Sequence, residues 1–174
     1  LPSDTLVVTV MSNMGLDIAA RERGIRLEKT KVGDRYVLKS MIAGGFAIGG
    51  EQSGHIILSE YATTGDGMLS ALRLLRALKS RKQTLGEARK IMTVLPQVLK
   101  SARVPNENKE AAMADPEILA LCADAERRLA GRGRVLVRAS GTEPIVRVML
   151  EGEDTGMISG MAEQIVKKIV ERHG

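Results

Sequence analysis

The sequence of 174 residues is nearly without aromatic rings, with one Phe, two Tyr and no Trp. A core must therefore be assembled from Leu, Ile, Val, Met and Ala. The scarcity also argues against reading single-stranded nucleic acid by base stacking, which needs aromatic platforms. Cysteine is as scarce: Cys122 is alone, so no intrachain disulfide forms, and a reducing, cytoplasmic setting is the expectation. It sits among Ile118, Leu119 and Leu121 at helical spacing, which reads as a buried thiol rather than a nucleophile. His55 and His173 are the only imidazoles, too few for a His-rich metal site. No apolar run is long enough to cross a bilayer and no signal-peptide pattern opens the chain, so no membrane partner is expected. The opening "LPSDTLVVTV" has no initiator Met and enters a strand at once, which reads as a piece of something longer.

What is present is ordinary in amount: 44% apolar and 27% charged residues, as in folded globular chains. The formal charge is +5. Lys and Arg are scattered rather than gathered in one block, so no nucleic-acid partner is expected. A scattered basic excess suits anionic small molecules or simply a solvated surface.

In "TLVVTVMSNMGLDIAARERG" the pattern predicts a strand, a Ser-Asn turn and a helix ending at Gly24. "IRLEKTKVGDRYVLKSMIAGG" predicts a strand, a polar turn from Lys31 to Asp34, and a helix stopped by Gly44 and Gly45. A strand, a glycine break and a strand follow in "FAIGGEQSGHIILSEY". A Thr or Asp then caps a helix in "TTGDGMLSALRLLRALKSRK", where Asp66 reads as the cap rather than part of a phosphate loop. Strands alternating with helices predict an α/β layer with some parallel pairing. The charge-rich "SRKQTLGEARKIMTVLPQ" marks a boundary, giving domains of residues 1–88 and 89–174. Beyond it come a strand near Val98–Val104, a helix with Pro116 in its first turn, two strands joined by "ASGTEP", and a helix from Ile158 to Arg172. That order predicts a small α+β domain, an antiparallel sheet with both helices on one face.

Two stretches carry chemistry. "GGEQSGH" sets Glu51, Ser53 and His55 at alternate positions after two glycines that read as a flexible hinge. In an extended segment the three share one face. A carboxylate, a hydroxyl and an imidazole there suit a ligand rich in hydroxyls, such as a sugar; a solvated strand edge is the bland alternative. The second stretch is "RVLVRASGTEPIVRVML". If residues 139–144 form a six-residue loop, Arg138 faces Ile145 and Leu136 faces Arg147. The two arginines then lie diagonally on one face, about 7–8 Å apart. Between them Ser140 and Thr142 offer hydroxyls, and Gly141 lets consecutive amides turn inward as an anion nest. Guanidinium forks, hydroxyls and amides match the oxygens of a phosphate. A surface hairpin with unrelated arginines is the alternative, and Glu143 would repel phosphate unless turned away or paired with an arginine.

In this order and at this separation, "GGEQSGH", "TTGDG" and "RASGTEPIVRVM", with "VTVMSNMGL" and "KVGDRYVL", resemble the α-D-phosphohexomutase superfamily. Within it the chain is most similar to the bacterial phosphoglucosamine mutases. The resemblance covers nearly the whole sequence and implies the third and fourth domains of a four-domain enzyme. It implies that Glu51 and Ser53, with His55 alongside, read sugar hydroxyls. Arg138, Ser140, Gly141, Thr142 and Arg147 would clamp the substrate phosphate, and Lys31, Asp34 and Arg35 would face the cleft. Many relatives have Pro where this chain has Ala139, which loosens the loop entry but removes no donor.

The resemblance implies an isomerase that interconverts glucosamine 6-phosphate and glucosamine 1-phosphate through glucosamine 1,6-bisphosphate, on the route to UDP-N-acetylglucosamine. Gln52 favours the glucosamine branch by resemblance alone. Such chemistry needs a phosphoserine donor and an aspartate-rich loop holding Mg2+. Neither a Thr-Ala-Ser-His-Asn-Pro-like nor an Asp-Gly-Asp-x-Asp-Arg-like stretch occurs here. In relatives both belong to the first two domains. The implied partners are thus a sugar phosphate and the missing N-terminal domains of the same chain. Magnesium would be held outside this sequence, no catalytic residue would lie in it, and this piece alone would turn over nothing. A homodimer stays open. Alternatives are a related phosphomannomutase or phosphoglucomutase, and a non-enzymatic anion- or nucleic-acid-binding protein suggested by the basic charge.

Overall fold

The computed structural model describes residues 3–174. It divides into two units, Leu1–Val94 and Leu95–Gly174. The division falls later than the expected 88/89 because the charge-rich stretch is not a linker. Thr84 and Glu87 form a reciprocal capping box that starts a helical turn, and a 3-10 turn over Arg89–Ile91 continues it.

In the first unit the chain runs β1 (Thr5–Thr9), α1 (Met14–Glu22), β2 (Arg26–Thr30), α2 (Asp34–Gly44), β3 (Ile48–Gly50), β4 (Ile56–Leu58), α3 (Gly67–Arg81) and α4 (Leu85–Ala88). The sheet order is β2-β1-β3-β4, with β1 parallel to both β2 and β3, and β4 antiparallel to β3. The β-branched run of β1 is what a strand covered on its faces requires. Asn13 opens α1 by accepting from the Gly15 amide at 3.0 Å, and Asp66 caps α3 by accepting from Leu69 at 2.9 Å. Gly45, at φ 63°, supplies the left-handed residue that ends α2. Val7, Val37, Met41 and Ile57 make the core, with Leu38 and Phe46 packed on it.

Gly49 and Gly50 are strand residues of β3 and not the expected hinge. A Cβ on Gly49 would stand 2.7 Å from Val37 Cγ1, so α2 can lie on β3 only where the strand has no side chain.

In the second unit the order is β5 (Gln97–Arg103), α5 (Lys109–Ala114), α6 (Pro116–Leu129), β6 (Gly133–Ala139), β7 (Ile145–Gly152) and α7 (Thr155–His173). The sheet is antiparallel throughout, in the order β5-β7-β6. Alternation along β7 sends Val146, Val148 and Leu150 toward the helices, where they meet Ile118, Leu129, Ile158, Ile165 and Ile169 in one core. Each such side chain, fully buried, contributes about 1.5–3 kcal/mol. The architecture is the one the residue pattern predicts, an α/β unit followed by an α+β unit, with the short α5 added.

Asp115 ties the start of α6 to the end of α7. Its carboxylate caps α6 through the Glu117 amide at 2.8 Å, and accepts from Arg172 Nε at 2.6 Å and meets His173 Nε2 at 2.8 Å. Arg172 first, then His173, holds the carboxyl well below the usual carboxylate range. A carboxyl depressed on folding stabilises the protein above its ordinary pKa of about 4, and that contribution disappears as pH falls toward the folded value. Melting temperatures between pH 7 and pH 3 should fall less steeply for Asp115→Asn than for the wild type; parallel curves would refute the linkage.

Candidate functional site

The β6–β7 hairpin is two residues tighter in register than its sequence suggests. Arg138 pairs directly with Arg147, Ala139 with Val146 and Leu136 with Met149. The ladder runs on into the loop, since the Ser140 amide donates to the Ile145 carbonyl at 3.0 Å. The expected pairings of Arg138 with Ile145 and of Leu136 with Arg147 are therefore replaced. The arginines remain on one face, as directly opposed and not diagonal neighbours, with Cβ atoms about 5 Å apart by ladder geometry.

That face points away from the helices, because its alternate residues on β7 are the ones buried against them. Burial, and then the charge of Arg147, pulls the Arg138 guanidinium below its ordinary pKa. Arg147 is held by an ion pair to Glu143, which answers the repulsion that Glu143 posed. Arg138 makes no ion pair among the described residues. Strand β5 adds Arg103, which pairs with Ile145 and so projects beside Arg147 on the same face. The sequence reading missed Arg103, because the hairpin alone does not reveal that β5 flanks β7.

The loop's hydrogen bonds are asymmetric. Ser140 Oγ accepts from the Glu143 amide at 3.2 Å, the Ile145 amide donates to the Glu143 carbonyl at 2.8 Å, and Val104 donates to the Pro144 carbonyl at 2.9 Å. Among the described residues the Gly141 and Thr142 amides are left with no protein acceptor, and both residues are exposed. Ser140 is buried with its hydroxyl proton still available to donate. Two exposed adjacent amides and a pair of opposed arginines are donors of the kind that a tetrahedral anion accepts.

In the first unit, residues 51–55 are a turn between β3 and β4, not an extended segment. The Gly54 amide closes it onto the Glu51 carbonyl at 3.1 Å, and Gly54 takes φ +95°, open chiefly to glycine. Strand alternation thus does not gather the three side chains. The turn does so instead: Ser53 Oγ lies 3.5 Å from Glu51 Oε2 and 3.4 Å from His55 Nδ1. Glu51 Oε1 accepts from the Gly33 amide at 2.7 Å, at the start of α2. This brings the Lys31–Arg35 turn against the turn between β3 and β4. Lys31, Asp34 and Arg35 are exposed there; Asp34 accepts from the Arg35 amide, and Arg35 stacks over Tyr36 at 4.6 Å. Glu51 and Gln52 also border a cavity of about 300 Å³ whose remaining walls include Leu6, Leu16, Ile48 and Ile56. Such apolar walls suit packing, and the hydrogen-bonding side chains gathered here are those of the turn.

Among the described residues no three His, Cys, Asp or Glu side chains gather to hold a metal ion, so they do not fit a magnesium site. No helix among them is long and apolar enough to cross a membrane. Cys122 is half-buried on α6, its thiol pushed up by burial and then by Glu126, as suits a packed and unreactive sulfur.

The family models described as "Phosphoglucomutase/phosphomannomutase, alpha/beta/alpha domain III" and "Phosphoglucomutase/phosphomannomutase, C-terminal domain" match residues 1–95 and 99–168. The chain belongs to the phosphoglucomutase/phosphomannomutase family. Among curated members, the phosphoglucosamine mutase of Acetivibrio thermocellus is 53% identical over all of this chain and 39% of its own length. That of Caldicellulosiruptor saccharolyticus is 55% identical over 99% of this chain and 38% of its own. The chain thus spans about two fifths of the length of the family members it matches. Among solved structures, Aspergillus fumigatus N-acetylphosphoglucosamine mutase, in complex with GlcNAc-6P and magnesium, has a TM-score of 0.80 at 20% identity, covering 98% of this chain and 39% of that one. A phosphoglucomutase/phosphomannomutase family protein of Burkholderia thailandensis has a TM-score of 0.73 at 16% identity, covering 99% and 39%. These likenesses show that the phosphohexomutase fold extends through both units.

Proposed function

We propose that this chain supplies substrate binding to a phosphoglucosamine mutase, with the second unit taking a phosphate and the first reading sugar hydroxyls. The observation that carries the proposal is the β6–β7 loop, where the Gly141 and Thr142 amides lie open beside the directly opposed Arg138 and Arg147. Ser140 and Thr142 add hydroxyl donors, and a dianionic phosphate neutralises two guanidinium groups that otherwise repel. On the first unit, the turn offers the Ser53 hydroxyl within hydrogen-bond reach of both the Glu51 carboxylate and the His55 imidazole, a set that accepts from and donates to sugar hydroxyls. The curated relatives at 53% and 55% identity are phosphoglucosamine mutases, which supports glucosamine 6-phosphate and glucosamine 1-phosphate as the pair interconverted, with glucosamine 1,6-bisphosphate between them.

The chemical step needs a phosphoryl donor and a metal, which supplies charge neutralisation at the transferring phosphoryl group. Both would come from the part of the longer protein that this chain does not contain. Binding and orientation are what remains here, and the chain alone is expected to show no mutase turnover. UDP-N-acetylglucosamine synthesis in the cytoplasm is the setting this reading implies.

Titration of inorganic phosphate and of glucosamine 6-phosphate into the 174-residue chain, followed by amide NMR shifts, tests both half-sites. Phosphate should move the Gly141 and Thr142 amides, and only the sugar phosphate should also move those of residues 51–55. A silent loop at millimolar phosphate would reject the phosphate assignment; a silent turn with a responsive loop would reject the sugar assignment alone.

A further inference from the structure

We infer that Lys109 is a positioning residue for the phosphate loop, an inference that rests on the reading of that loop as a phosphate site. Lys109 is the first residue of α5 and stands more than thirty positions before the loop. Its ammonium donates to the Ser140 carbonyl at 2.7 Å and to the Glu143 carbonyl at 2.5 Å. These two carbonyls bracket the Gly141 and Thr142 amides.

The peptide plane links the two sets of groups. In a trans peptide the carbonyl of one residue and the N–H of the next point in opposite directions. Fixing the Ser140 carbonyl on Lys109 therefore turns the Gly141 N–H away from Lys109, to the side where an anion can meet it. The bond to the Glu143 carbonyl pins the other end of the loop, with the Ile145 amide on the same oxygen. The loop's other bonds, from the Glu143 amide to Ser140 Oγ, from Val104 to the Pro144 carbonyl and between Arg147 and Glu143, leave the peptide joining Ser140 and Gly141 untouched, and Gly141 adds no side chain to hold it. Lys109 is half-buried, which shields its bonds from water. The ammonium also places a positive charge behind the loop without touching the ligand. Its role is to preorganise donors, which saves the ordering that binding would otherwise require.

The test compares wild type, Lys109→Met and Lys109→Arg, each titrated with inorganic phosphate and followed at the Gly141 and Thr142 amides. Lys109→Met keeps the apolar stem and should weaken phosphate about tenfold, the effect of losing charge-assisted hydrogen bonds that hold a site. In the free protein its Gly141 and Thr142 amides should show faster nanosecond motion by 15N relaxation. Lys109→Arg keeps donors for both carbonyls and should recover most of the affinity and the loop order, which a purely electrostatic or packing role would not predict together. If wild type responds to phosphate and Lys109→Met responds equally, the positioning role is overturned while the phosphate reading stands. If wild type does not respond, both fall. Should Lys109→Met fail to fold, the wild-type Lys109 ammonium decides the matter: coupling across its hydrogen bond to the Ser140 carbonyl is expected, and a freely rotating ammonium overturns the role.

Discussion

Arg138→Met is expected to weaken inorganic phosphate binding by roughly 10- to 100-fold, the range of a lost charged hydrogen bond, while the melting temperature stays level or rises slightly. The two halves of that expectation share one cause. Arg138 and Arg147 are directly opposed on neighbouring strands, and like charges so placed destabilise a sheet by up to about 1 kcal/mol before solvent screening reduces it. Arg147 has Glu143 as its counterion, whereas burial and Arg147 both act against the charge of Arg138. The free protein thus gains nothing evident from Arg138, and a bound phosphate relieves the repulsion. A calorimetric phosphate titration beside a thermal melt checks both halves. Unchanged affinity would remove Arg138 from the site, and a large drop in melting temperature would make it structural.

Glu151→Ala is expected to produce a large loss of stability in the second unit, about 3 kcal/mol, as for a buried ion pair deprived of one partner. For a unit of this size that lowers the melting temperature by roughly 15 °C. Glu151 is fully buried on β7, pairs with Arg134 of β6 and accepts from Gln97 Nε2 of β5 at 2.7 Å, so one carboxylate spans all three strands. Removing it takes that carboxylate away from a mostly buried guanidinium and from the Gln97 amide. The double variant Glu151→Leu with Arg134→Met should recover most of the loss, since an apolar pair of similar size needs no counterion. Equal stability of Glu151→Ala and wild type in urea unfolding would refute the argument.

The two hairpins differ in how legible they were, for a physical reason. In the second unit the residue types, two arginines around Ser-Gly-Thr, indicate the chemistry, but the pairing depends on how far the ladder climbs into the loop. That choice is made by the Ser140–Ile145 hydrogen bond, and nothing in the local pattern distinguishes a shift of two residues, which keeps every side chain on its face. In the first unit the alternation of Glu51, Ser53 and His55 suggested a strand, whereas Gly54 at positive φ folds the stretch into a turn. The side chains still converge, by a different route. The helix α3 shows a third limit. Its apolar residues recur at helical spacing, yet Met68, Leu72 and Leu75 are exposed, because burial depends on a neighbouring surface and not on periodicity.

By itself the sequence determined the order of the longer strands and helices, the cap at Asp66, the first-turn position of Pro116, and the residue types of the two turns proposed to bind. These are local matters, decided by periodicity, capping and the few residues that tolerate special backbone angles. Only the tertiary structure decided that Gly49 yields to α2, that β5 brings Arg103 beside Arg147, that Glu51 reaches Gly33, and that Lys109 grips the loop more than thirty residues away. Each of these joins positions far apart in the chain, and such contacts are set by how packed layers come together, which no short stretch of residues encodes.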